Sequence, residues 1–182
     1  MWWFLIILAA VAFIIIGLYN GLVRLRVRVN GAWADIDVQL KRRWDLIPNL
    51  METVEASAGH ERETLEAVVE ARNRAMGARG PSEAGAAEGA LAGALGRLFA
   101  LSEAYPQLRA VEAFTDFQRS LDEIEEAVQN ARRYYNAVVR DYNTKTQVFP
   151  TNLLAGLFGH TRREFFSLDD ERQREGPRVA FS

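Results

Sequence analysis

The chain has 182 residues, 49% hydrophobic and 25% charged, with a formal net charge of −2. That near-neutral balance argues against a dedicated nucleic-acid binder, which concentrates basic residues on one face. There is no cysteine, so disulfides and thiolate zinc sites are excluded.

The first element is an apolar run, Trp2–Leu18, of roughly 17 residues, the short end of what crosses a bilayer as a helix. Trp2, Trp3, Phe4, Leu5, Ile6 and Ile7 make its first half, and Phe13, Ile14, Ile15, Ile16 and Leu18 close it. A cleaved signal peptide would begin with a basic stretch and end at small residues. Here no Lys or Arg precedes the run, and Leu18-Tyr19-Asn20 follows it, so an uncleaved anchor over residues 1–19 is expected. Arg24, Arg26 and Arg28 come next, and no acid appears before Asp35. The positive-inside bias places the domain that follows in the cytoplasm, with the N-terminus outside.

No breaker separates the anchor from Leu22–Val54, whose apolar positions recur every seven residues. Trp33, Leu40, Ile47 and Val54 form one seam, and Leu22, Val29, Ile36 and Leu50 the other, the pattern of a coiled-coil-like stripe. The membrane helix is therefore expected to continue as a stalk, kinked near Asp45 because Pro48 removes a helical hydrogen bond. Gly59 is a plausible stop.

A second helix is predicted over Glu61–Met76, with Leu65, Val68, Val69 and Met76 as its apolar side. A third runs over Glu83–Ser102, where Gly85, Gly89 and Gly93 form a smooth stripe suited to close helix packing. A fourth opens at Pro106, a favoured first helical position, and carries Phe114, Leu121, Val128, Tyr135, Tyr142 and Phe149 at intervals of seven. Phe117, Ile124, Ala131 and Val138 form its companion seam, and Pro150 stops it. No stretch alternates with a period of two, so no sheet is predicted.

The expected fold is all-α: an antiparallel four-helix bundle over 20–149, its first helix continuous with the membrane anchor. In that arrangement Arg43 occupies an otherwise apolar seam position. If the last helix returns from Phe149 to the level of Tyr19, equal rise per residue sets Glu125 at the height of Arg43. Asp122 and Glu126 lie within a turn of that height. An ion pair between Arg43 and one of these acids follows as an expectation. Residues 150–166 form an apolar segment on Leu153, Leu154, Leu157 and Phe158, with Arg162 and Arg163 following. That composition suits either the headgroup region of a bilayer or a cap on the open bundle end. Residues 167–182 are mixed in charge with little to bury, and disorder is expected.

The chain resembles the LemA family of bacterial membrane proteins along nearly its whole length. Ala32-Trp33-Ala34-Asp35-Ile36-Asp37-Val38-Gln39-Leu40-Lys41-Arg42-Arg43 and Asp45-Leu46-Ile47-Pro48-Asn49-Leu50 carry most of the resemblance. Tyr19-Asn20-Gly21, Gly96-Arg97-Leu98-Phe99, Tyr105-Pro106 and Phe149-Pro150 add to it. The resemblance implies an N-terminal anchor in a bacterial inner membrane and a helical bundle, with no established catalytic residues to carry over. Some members are linked to magnetosome membranes, which implies a part in membrane organisation.

The residues themselves offer little chemistry. Bundle metal sites need inward carboxylates and Glu-x-x-His pairs, whereas His60 and His160 both lack a Glu three positions earlier. His160 also lies beyond the predicted bundle. There is no Walker A, dinucleotide or Gly-x-Ser-x-Gly pattern, so neither an enzyme nor a cofactor is expected. Lys41-Arg42-Arg43 reads as a solvated face, and Tyr134, Tyr135 and Tyr142 as core or rim. The expected function is a non-enzymatic, membrane-anchored scaffold or interaction protein. Its partners would be the lipid bilayer and further copies of itself, with an unidentified membrane protein as another. The alternative is an accessory or signalling subunit of a membrane enzyme, such as a membrane protease.

Overall fold

The computed structural model describes residues 1–167, and the expected disordered tail lies outside them apart from Ser167. Among the described residues there are six helices and no strand. They are α1 (Trp2–Ala58), α2 (Arg62–Gly77), α3 (Gly80–Ser102), α4 (Pro106–Arg109), α5 (Glu112–Lys145) and α6 (Thr151–Leu157). The chain divides into two compact units. One comprises residues 1–38 and 128–165; the other comprises 39–127 together with Phe166 and Ser167.

In the first unit, α1 begins with a segment long and apolar enough to cross a membrane. Its residues Trp2–Ile16 touch little else and lie exposed. Past Leu18 the helix becomes amphipathic, burying Leu22, Val29 and Ile36. The second half of α5 lies alongside, and Trp33 meets Tyr135 with ring centroids 5.5 Å apart. Farther along α5, the Tyr142 hydroxyl lies 3.1 Å from Nδ1 of His160, whose ring in turn faces Tyr19. Moving forward along α5 is thus moving backward along α1, and within this unit the two helices are antiparallel.

In the second unit, α1 supplies Ile47, Leu50, Val54 and Ala58 to a core shared with α2, α3, α4 and α5. Val68, Ala71 and Ala75 come from α2, and Leu91, Ala94, Leu95 and Leu98 from α3. Leu108, Phe114 and Leu121 close the core.

The sequence expectations need several corrections. The fourth helix is not one element from Pro106 to Phe149. It forms a single turn, α4, breaks at Ala110-Val111 and restarts as α5. At its other end α5 stops at Lys145, so Phe149 leaves the seam and stands 78% exposed. Pro48 does lie inside α1 as expected, and the helix runs on to Ala58, next to the expected stop at Gly59. On α2, Val69 and Met76 face outward while the small side chains of Ala71 and Ala75 are buried. The glycine stripe is not a uniform packing surface. A Cβ at Gly85 would fall 1.9 Å from the carbonyl oxygen of Ser167, whereas one at Gly93 would meet nothing within 4 Å.

Candidate membrane-proximal surface and polar core

The predicted seam residues are distributed over both units. On α1, Ile36, Leu40, Ile47 and Leu50 are buried and Trp33 is half-buried. On α5, Phe114, Leu121, Val128, Tyr135 and Tyr142 are buried, while Tyr134 is exposed. Arg24, Arg26 and Arg28 are exposed on α1. Lys41 and Arg42 are exposed too and bond along their own helix, Lys41 to Asp45 and Arg42 to Gln39.

Arg43 is different: its side chain is only 5% exposed. It sits in the second unit between two carboxylates. Nη2 pairs with Glu125, the acid that equal rise set at its height, and Nη1 lies 3.1 Å from Oε2 of Glu88. Glu88 is fully buried, and its other oxygen accepts a hydrogen bond from Trp44 Nε1 at 2.7 Å. Arg72 Nε donates to the Trp44 carbonyl at 2.8 Å, tying α2 to the same point. Burial pushes the Glu88 carboxyl above its usual range, against the opposing pull of Trp44 and Arg43. Sequence reading missed Glu88, because its helix is mostly Ala and Gly and offers no clear periodicity. The Arg43 Nε has no hydrogen-bond partner among the described residues.

A second polar cluster, in the first unit, pins down the chain after α5. Past Lys145 the Thr151 hydroxyl, itself buried, lies 2.6 Å from the Lys145 carbonyl and 2.9 Å from that of Val148. α6 then ends with Gly159 at φ +67°, the left-handed conformation that glycine accepts without strain. Beyond it, the Asn143 side chain donates to the Arg163 carbonyl at 2.9 Å and accepts from the Arg163 N–H at 2.8 Å. The Tyr135 hydroxyl donates to the Glu164 carbonyl at 2.9 Å. Burial pushes that phenol up, with Arg163 opposing and Glu164 adding to the shift. His160 is therefore no outlier beyond the helices. It is buried against Tyr142, and desolvation followed by the charge of Arg26 lowers its imidazole below the usual value.

This tethering leaves a distinct apolar surface. Of the four predicted membrane-proximal residues, Leu153 is 63% exposed, Leu157 75% and Phe158 50%, while Leu154 is half-buried. α6 instead buries its small residues, Thr151 and Ala155. Phe158 stacks on Tyr19 at the foot of the anchor, with ring centroids 4.6 Å apart. Among the described residues, no group of three His, Cys, Asp or Glu side chains is placed to hold a metal ion.

Residues 32–181 match the LemA family model. Protein LemA of Metamycoplasma hominis is 25% identical over 156 residues, covering 84% of this chain and 70% of the relative. Magnetosome protein MamQ 2 of Paramagnetospirillum magneticum is 38% identical over 80 residues, covering 44% of this chain. Magnetosome protein MamQ of Magnetospirillum gryphiswaldense is 32% identical over the same length. The alignments cover only 29% of each of these magnetosome relatives. An N-terminal helix apolar enough to span a bilayer, the buried seams and this match together show that the chain belongs to the LemA family.

Proposed function

We propose that the chain is a non-enzymatic, membrane-anchored scaffold that assembles with copies of itself at the cytoplasmic face of a bacterial inner membrane. The observation that carries this reading is the continuity of α1. Exposed lipid-type residues and buried seam residues follow one another in a single helix with no linker. Such a helix transmits its position in the bilayer directly to the residues packed against it, which suits a structural role. The exposed Leu153, Leu157 and Phe158 add a second apolar contact for the membrane interface. The likeness to proteins named for magnetosomes is consistent with a part in membrane organisation.

The test is gentle solubilisation of the full chain from native membranes, followed by capture and sizing. A defined homo-oligomer supports the scaffold reading. Stoichiometric recovery with a different protein overturns it in favour of an accessory subunit, and a monomer overturns self-assembly.

A further inference from the structure

The first unit contains a groove of about 470 Å³ between α1 and the end of α5. Its α1 wall is Gly21, Arg24, Leu25 and Arg28, and its α5 wall includes Arg140, Asp141, Thr144 and Lys145. Four cations therefore face one carboxylate. Arg24 and Arg28 are four apart on one helical face, a spacing at which like charges repel. None of the four cations has an ion-pair partner among the described residues. A bias of membrane insertion accounts for arginines flanking the span. It does not account for Arg140 and Lys145, which come from the other end of the sequence and converge on the same groove. Converging cations repel one another, though water screens them at the surface, and an anion between them turns that repulsion into attraction.

Position narrows the anion. The groove begins three residues beyond Leu18, where the apolar run ends. Its last lining residue in sequence, Val148, is 43% exposed and precedes the exposed Phe149, on the side of the groove toward the apolar run because α1 and α5 are antiparallel. A ligand here would have its charge among the guanidinium groups and an apolar body beside the span. Arginine forks match phosphate oxygens, and the Thr144 hydroxyl adds a donor.

We propose that this groove binds the phosphate of an anionic phospholipid headgroup. The inference rests on the membrane anchoring in the functional reading above, but not on self-assembly. It is tested on the full chain in neutral detergent by native mass spectrometry. The probes are phosphatidylglycerol, phosphatidylcholine and inorganic phosphate. Phosphatidylglycerol should be retained, with phosphatidylcholine retained at least about tenfold less. A cation at a membrane surface contributes about fivefold to anionic-lipid affinity, so R24Q/R28Q and R140Q/K145Q should each lower retention roughly 30-fold. R132Q/R133Q makes the same charge change on α5 outside the groove lining and should leave retention intact. Circular dichroism and alkaline extraction keep the outcomes separate. A variant that stays helical and membrane-bound but loses the lipid supports the site. Retention by both groove variants at the level of the unmodified chain, loss in R132Q/R133Q as large as in the groove variants, or retention of phosphatidylcholine matching phosphatidylglycerol overturns it. Competition by inorganic phosphate at equal concentration overturns the lipid source. Loss of membrane association by the unmodified chain would instead overturn the anchoring reading.

Discussion

Arg43, Glu88 and Glu125 show how burial decides what a charge is worth. Glu125 is 40% exposed, so water screens its attraction to Arg43. Glu88 is enclosed, and its ionised form depends on Arg43 and Trp44. Glu125→Ala should therefore cost no more than about 1 kcal/mol of stability. Arg43→Ala, which strands the Glu88 carboxylate, should cost about 3–5 kcal/mol, as removal of one buried partner does. Chemical denaturation of the three proteins under one condition checks this ordering. The raised Glu88 pKa makes a separate prediction. A carboxyl whose folded value lies above its ordinary 4.5 stabilises the fold below that value. The contribution is lost as pH rises through the folded value. Glu88→Gln keeps a side-chain oxygen for Trp44 and removes the titration. Its stability should fall less than that of the unmodified chain as pH rises from about 4.5 toward neutrality. Parallel pH profiles would exclude Glu88 as the source.

At the scale of elements, the seams were legible because heptad spacing survives in sequence wherever a helix buries a continuous stripe. Ile36, Leu40, Val128 and Tyr142 could be read that way. The break at Ala110-Val111 could not, because Pro106 and Phe114 fit one helical phase and no Gly or Pro marks the interruption. α6 was hidden by Pro150, which reads as a terminus but here is followed directly by a new helix. The Arg43–Glu125 pair was accessible to arithmetic on two long helices. Glu88 required the rotation of α3, which its Ala and Gly residues leave unmarked. The groove required residues more than a hundred positions apart to share a surface. The same helix α3 yields a contrast between two glycines. Gly85→Ala drives a methyl group into the Ser167 backbone and should destabilise by about 1–3 kcal/mol, as overpacking does. Gly93→Ala enters open space and should gain up to about 1 kcal/mol from helix propensity. Thermal melts of both variants, referred to the unmodified chain, test whether close approach is confined to Gly85.

For the whole molecule, orientation in the membrane has the clearest physical handle. Arg24, Arg26 and Arg28 follow the apolar run, whereas no Lys or Arg precedes it. If positive charge is retained on the cytoplasmic side, Met1 is expected outside and the rest of the chain within. The absence of cysteine makes this measurable without removing any native thiol. In cells expressing the full chain, an impermeant thiol reagent should label Trp2→Cys without lysis and Ser182→Cys only after lysis. The reverse pattern would show that the arginines do not set the topology. Anionic phospholipid is compatible with either face of a bacterial membrane, so a reversed orientation would leave the groove's lipid-retention test intact. It would instead remove the cytoplasmic placement on which the scaffold reading depends. The two experiments thus separate a property of local chemistry, four cations around one groove, from a property of how the entire chain was inserted.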